Sequence, residues 1–343
     1  MLLLLLFHSF FSRTTVAGLC TTWLLWCNNA VTSATGLSSK PGSTLDVSKI
    51  RAISFDVTGT LLATREPVVK SYHDASIWAK LPNPPTQDEF KKGFKIAFKE
   101  RSIESPCFGG AEGISGREWW QTTIRRVLYH AKGGGTGSGD NEKQYNYYYT
   151  EEEFQRYFRR VYQHFGSPSG YMVLEDASSL LSSITEATQP PSSGDNDNNL
   201  LLGITSNTPI RHMESVLPML DSFHKQFSWF TCSQEIGHEK PAKEIFEDAF
   251  SKAKFWLDDP LLAKDSILHI GDSYACDYCG ARAYGFQALL LDRSDHPSVT
   301  AYQDWLEAPE YPGKSLEDVE NNTITSLEEV ASILSLAKQA SNS

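Results

Sequence analysis

Asp56 closes a short apolar run at residues 53–55, and a Thr58-Gly59-Thr60 turn follows it. A buried strand that ends this way places its carboxylate at the carboxyl edge of a sheet, where open α/β folds keep their chemistry. A carboxylate held there can act as a nucleophile or as a metal ligand. A second apolar run, residues 200–204, leads into Thr205-Ser206-Asn207. The side chains of Ser206 and Asn207 can donate hydrogen bonds to a phosphoryl oxygen, and so can the N–H groups of the turn. Lys240 precedes Pro241, which suits the first position of a helix with Ile245, Phe246, Ala249 and Phe250 as its buried stripe. Lys240 then stands just ahead of that helix, able to offset charge on a phosphoryl group and on Asp56. A strand at residues 267–270 runs into Gly271-Asp272, and Asp277 follows on the same strand-to-helix turn. Two acids there suit a hard cation with oxygen ligands, and Mg²⁺ is the usual partner of phosphate.

Each of these pieces is weak alone, but four in order, each at a strand end, make a strong signal. The wording D-V-T-G-T-L-L, S-N-T-P, K-P-A-K-E-I-F and G-D-S-Y-A-C-D-Y-C-G-A-R-A-Y-G resembles the four motifs of the haloacid dehalogenase-like hydrolases, over roughly residues 48–340. The resemblance implies that Asp56 attacks phosphorus and forms an aspartyl-phosphate, while Ser206 and Lys240 hold the transferring group. It also implies that Asp56, the backbone carbonyl of Thr58 and Asp272 bind Mg²⁺, with Asp277 completing or supporting that site. Ser206 rather than Thr205 takes the binding role because Asn207 follows it. The partner so implied is a small phosphorylated substrate.

The chain departs from that pattern at Thr58, where most phosphatases of the superfamily carry a second aspartate that protonates the leaving alcohol. Threonine is no general acid near neutral pH, and such a group typically contributes ~10²–10⁴-fold. Slow turnover on ordinary phosphomonoesters is the expectation, with acyl and aryl phosphates suffering least. The alternative is a catalytically attenuated protein that binds phosphorylated ligands or partners. A metal-free 2-haloacid dehalogenase is a third reading, against which the paired Asp272 and Asp277 count.

The elements that must position these residues alternate. Strand-helix repetition after residue 200 predicts a doubly wound parallel sheet, a Rossmann-like α/β core. The expected elements are a helix at 209–220, a strand at 227–232, a helix at 275–284 ending at Gly285, a strand at 287–291 and a last helix at 326–336. Residues 63–199 are too many for one crossover, so they read as an inserted helical domain between core segments 48–62 and 200–340. Capping boxes at Thr86/Glu89, Ser115/Glu118 and Thr150/Glu153 open helices with one apolar face each. In the family such an insert is a cap over the active site. The polar stretches 133–143 and 189–199 read as flexible loops.

The 343 residues carry a net charge of −11 and show no basic run, which excludes nucleic acid as the expected partner. Six scattered cysteines form no disulfide framework, and the Cys276/Cys279 pair lacks the second pair or histidines of a zinc site. The first 45 residues contain no Asp or Glu and are rich in apolar residues, Ser and Thr. They read as a targeting segment for an organelle, plastid or mitochondrion, with the secretory pathway or the cytoplasm as alternatives. Their longer apolar stretch, 16–27, falls short of the ~20 residues that a membrane span needs. Arg65 and His238 are assigned solvated roles and His269 a structural one. Oligomeric state is not legible.

Overall fold

The computed structural model describes residues 45–134, 148–187, 200–220, 223–294 and 308–341. The expectations for residues 1–44, and all or most of those for the two polar stretches, fall outside them. Among the described residues eight strands are formed: β1 (Ala52–Phe55), β2 (Leu62–Thr64), β3 (Tyr171–Val173), β4 (Leu201–Ser206), β5 (Trp229–Cys232), β6 (Ile267–Gly271), β7 (Gln287–Leu291) and β8 (Thr323–Ile324). Six of them make one parallel sheet in the order β5-β4-β1-β6-β7-β8. β1, β6 and β7 are buried at every position, as expected of strands covered on both faces. The chain leaves β1 toward β4 on one side and leaves β6 toward β7 on the other. The crevice beyond the carboxyl ends of β1 and β6 is therefore the topological switch point, where such sheets bind ligands.

Between β2 and β3 come α1 (Val68–Trp78), α2 (Gln87–Glu104), α3 (Gly116–Ala131) and α4 (Glu151–His164). Their apolar faces close on one another in a cluster of their own that includes Tyr72, Phe90, Phe94, Phe98, Trp119, Tyr157 and Phe158. Thr86/Glu89 and Thr150/Glu153 form complete capping boxes. Ser115 accepts from the Glu118 N–H without the return bond, so the third expected box is half made. The chain enters and leaves this helical unit through the antiparallel β2–β3 ribbon, Leu62 opposite Val173 and Thr64 opposite Tyr171.

α5 (Glu175–Ala187) lies within the expected insert at 63–199, yet it packs elsewhere. Ala177, Leu180, Leu181 and Ile184 share a cluster with Ile53, Phe55 and Leu202 of the sheet. In packing terms the helical insert is narrower, roughly residues 68–165, and α5 covers one face of the core.

The helix expected at 209–220 is instead a π-helical turn, His212–Val216, followed by a 3₁₀ turn, Leu217–Met219. Pro218 has no N–H to continue an α-helical ladder, and the turn that holds it is 3₁₀ and ends at Leu220. Beyond it lie α6 (Ser233–Ile236), α7 (Lys243–Leu257), α8 (Gly280–Tyr284), α9 (Leu316–Asn321) and α10 (Glu328–Ser341). α7 begins at Lys243 after an extended Ala242 N-cap, so Pro241 lies before the helix and is not its first residue, contrary to expectation. Gly285, at φ 106°, ends α8 as expected. The helix expected at 275–284 starts as a π-helical turn, Tyr274–Cys279. Among the described residues no helix is long and apolar enough to cross a membrane.

His212 packs against the Tyr171 ring at 4.8 Å, and its Nε2 is buried without a hydrogen-bond partner. Burial, reinforced by Arg211, lowers its pKa from 6.5 to about 4. Between those values the unfolded chain takes up a proton that the folded chain refuses, so stability falls as pH drops through that window. The full loss is ~3 kcal/mol. His212→Gln is expected to flatten that acid slope in thermal melts run at neutral and mildly acid pH. An unchanged slope would assign the sensitivity to another group.

Candidate active site

Asp56 follows β1 and is held in the sheet's ladder by its N–H, which donates to the Ile270 carbonyl at 2.9 Å. Its side chain is 6% exposed and lies against Lys240, whose Nζ donates to Asp56 Oδ1 at 2.7 Å. The same ammonium donates to Asp277 Oδ1 at 2.5 Å and to the Thr205 carbonyl at 2.9 Å, so all three of its protons are used. Ser206, at the end of β4, lies close enough to the Asp56 carboxyl to favour its charged form. Thr205 turns its own hydroxyl toward Ser54 in the sheet, at 2.7 Å, so Ser206 is the residue of the pair that faces the site.

Asn207 does something other than expected. Its Oδ1 accepts from the Lys240 N–H at 2.7 Å and its Nδ2 donates to the Lys240 carbonyl at 2.9 Å. The amide that was expected to reach a phosphoryl oxygen instead clamps the backbone of the lysine. Cys276 Sγ donates to that same carbonyl at 3.2 Å, which accounts for the C-x-x-C by packing, and both of its cysteines are buried.

The turn after Asp56 is fastened from outside. Arg293 pairs with Asp176 through Nε and Nη2, both at 3.0 Å, and donates to the carbonyls of Gly59 and Thr60. Gly59 adopts φ +94°, and a Cβ there would meet Asp272 Oδ2 at 2.2 Å. This glycine lets the turn bearing Thr58 close over Asp272. A Cβ on Gly271 would likewise strike the Asp277 carboxyl carbon at 2.2 Å. Asp277 folds back over the start of its own turn, its Oδ2 accepting from the Ser273 N–H at 2.9 Å. The expected solvated roles of Arg65 and His238 agree with their exposure, the His238 side chain being 52% exposed, although Arg65 Nε also donates to the Pro168 carbonyl at 2.8 Å.

Asp56, Asp272 and Asp277 offer one oxygen each within 4.8 Å of one another, the one group of this kind among the described residues. Asp56 Oδ2 and Asp272 Oδ1 are buried and accept no hydrogen bond. Both oxygens of Asp277 are engaged, by Lys240 and His269 on one side and Ser273 on the other. The donor set available to a cation is therefore Asp56 and Asp272, with Asp277 behind them.

Electrostatics agrees with that division. Burial raises the pKa of Asp56 and, with the charges of Asp56 and Asp277 added, raises that of Asp272 well above the carboxylate range. Burial acts on Asp277 in the same sense, but Lys240 and His269 outweigh it and hold its carboxyl well below that range. The two carboxylates likewise outweigh burial at Lys240 and keep its ammonium charged. Were all three carboxyls ionised, one ammonium would leave two negative charges in excess, which is why Asp56 and Asp272 resist ionisation without a further cation, and one oxygen of each is left without a partner. A hard divalent cation with oxygen ligands fits that cradle.

A model of the haloacid dehalogenase-like hydrolases matches residues 50–285. Haloacid dehalogenase-like hydrolase domain-containing protein 3 of Mus musculus is 26% identical over 257 residues, 75% of this chain and 87% of that protein. Its Homo sapiens counterpart is 27% identical over 243 residues, 71% and 82% of the two chains. Among solved structures, a HAD phosphatase from Thermococcus onnurineus is 17% identical with a TM-score of 0.44, covering 83% of this chain and 98% of its own. A 2-haloacid dehalogenase from Pseudomonas syringae pv. Tomato DC3000 is 17% identical with a TM-score of 0.46 and the same coverage.

Proposed function

The chain belongs to the haloacid dehalogenase-like hydrolases, and from that premise we propose that it is a Mg²⁺-dependent phosphatase acting on a small phosphorylated substrate through an aspartyl-phosphate on Asp56. The observation that carries this reading is the buried Asp56–Lys240–Asp277 arrangement beside two orphaned carboxylate oxygens. Asp56 and Asp272, with the Thr58 backbone carbonyl, would hold the ion. When bound, Mg²⁺ neutralises charge on the transferring group and on the acids around it.

The remaining work falls to side chains. Asp56 Oδ attacks phosphorus in line as the bond to the leaving oxygen breaks. Lys240 and Ser206 stabilise charge on the equatorial oxygens, which in phosphoryl transfer is most of the catalysis. The leaving oxygen must depart as an anion or take its proton from solvent, because Thr58 has none to give at neutral pH. Water then cleaves the aspartyl-phosphate without a general base at that position, so this step is slow too. Thr58 is also the feature that favours the second reading, an attenuated protein that binds phosphorylated ligands or partners.

Release of product from p-nitrophenyl phosphate and acetyl phosphate, with and without Mg²⁺, separates the two. Metal-dependent release supports the enzyme; none from either compound supports the binding protein. Chloride release from chloroacetate without Mg²⁺ would favour dehalogenation instead.

The ion itself is testable without turnover. Mg²⁺ at a hundred times its dissociation constant is expected to stabilise the fold by about 2.7 kcal/mol. Asp272→Asn should melt no lower than wild type without the ion, since burial and the neighbouring acids already disfavour a charge at that position, and should lose most of the Mg²⁺ shift. Equal shifts in the two proteins would remove Asp272 from the ion's ligands.

A further inference from the structure

Thr205 of β4, Ser54 of β1 and His269 of β6 put three polar side chains into the middle of the sheet, each with no exposed surface. Buried polar groups of this kind are costly unless each finds a partner. Here each does. Ser54 Oγ lies 2.7 Å from Thr205 Oγ1 and 3.1 Å from His269 Nδ1, and His269 Nε2 lies 3.0 Å from Asp277 Oδ1. Ser54 and His269 are direct register partners across β1 and β6.

The chain of contacts has only one consistent direction. Asp277 is ionised against Lys240, so its oxygen accepts and His269 Nε2 carries the proton. Full burial, with the Lys240 ammonium added, disfavours a second ring proton, and Nδ1 lies 3.1 Å from Ser54 Oγ, placed to accept from that hydroxyl. Ser54 must then donate to Nδ1, and Thr205 must donate to Ser54. Every hydrogen in the row points toward Asp277.

We propose that His269 is a positioning residue: as the Nε2–H imidazole, aligned by Ser54 and Thr205, it fixes the Asp277 carboxylate and thereby sets where the Lys240 ammonium meets Asp56. This rests on the reading of Asp56 and Lys240 as the phosphoryl-handling pair. The hydrogen bonds of His269 run to Ser54 and Asp277 rather than to Asp56, and it has no exposed surface, so it neither gives nor takes a proton in the reaction. Its effect passes through Asp277 and Lys240. Partners at that remove typically change activity by about 10–100-fold.

The test compares wild type with His269→Phe, His269→Gln and Ser54→Ala, using ¹⁵N NMR of the imidazole and of the Lys240 ammonium, alongside kinetics on p-nitrophenyl phosphate with Mg²⁺. Wild type should show a single ring proton, on Nε2. His269→Phe should shift the Lys240 Nζ resonance and lower kcat by about 10–100-fold with little change in KM. His269→Gln, which keeps a donor and an acceptor, should restore most of both. If His269→Phe does not fold, Ser54→Ala carries the test, and a mixture with the Nδ1–H form should appear with a smaller loss of kcat. A proton on Nδ1 in wild type overturns the proposal. So does a folded His269→Phe with an unmoved Lys240 signal and full kcat, since a filler would behave that way. Absence of wild-type turnover would count against the phosphatase alone, because the two NMR readouts do not depend on it.

Discussion

Asp56→Asn is expected to abolish Mg²⁺-dependent release of p-nitrophenol, by ~10⁴-fold or more. The amide has nearly the shape of the carboxylate, and its oxygen can still accept from Lys240 Nζ, which lies 2.7 Å from Asp56 Oδ1. What it lacks is the electron pair for phosphorus, so no aspartyl-phosphate forms. It also removes one of the three negative charges that balance Lys240 and a divalent ion. Burial already disfavours the charged form of Asp56, so the neutral amide should leave the fold intact. The measurement is a single-turnover assay with a Mg²⁺ titration and a thermal melt of the same sample. Residual activity within tenfold of wild type, in a folded protein, would take the nucleophile's role away from Asp56.

Thr58→Asp is expected to work in the opposite sense, raising turnover on alkyl phosphates by ~10²–10⁴-fold. The gain should depend on the leaving group. An alkoxide is a strong base and gains most from a proton supplied as it departs, whereas p-nitrophenolate and acetate leave unaided. The diagnostic quantity is therefore the ratio of kcat on glycerol phosphate to kcat on p-nitrophenyl phosphate, which should rise steeply. A further acid beside the cradle adds negative charge, so the variant should also bind Mg²⁺ at least as tightly. Unchanged turnover on alkyl phosphates would mean that Thr58 is not the missing acid.

Much of this site was legible because strand ends and turn residues are local signals. Asp56, Ser206, Lys240, Asp272 and Asp277 stand at strand ends or turns that the apolar runs announce, and the structure brings all five together. What was missed depends on which partner a side chain meets. His269 read as an alternating strand residue, since nothing local reveals that Ser54 lies opposite it or that Asp277 folds back to its Nε2. Asn207 carries donors that suit a phosphate, but only the fold shows that Lys240's backbone takes them. Arg293 reaches the Asp56 turn from a distant loop without any motif around it. For α5, the spacing of Ala177, Leu180, Leu181 and Ile184 shows an apolar face but not what covers it, so sequence alone leaves the helix in the insert, whereas it packs on the sheet. Pro218 is a local signal of the opposite kind, since a residue without an N–H already argues against a regular α-helix over 209–220.

β1 lies at the centre of the sheet, yet both of its neighbours are encoded far downstream, β4 at Leu201–Ser206 and β6 at Ile267–Gly271. On a ribosome making 5–20 residues per second, the roughly 150 residues between β1 and β4 take about 7–30 s. The aromatic cluster of α1 to α4 can close on itself during that interval, because its contacts are internal to the segment already made. β1 cannot, and an unpaired apolar strand is an aggregation hazard. A nascent chain arrested before residue 201 would pair a folded helical unit with a bare strand, and chaperone occupancy should stay high until β4 emerges.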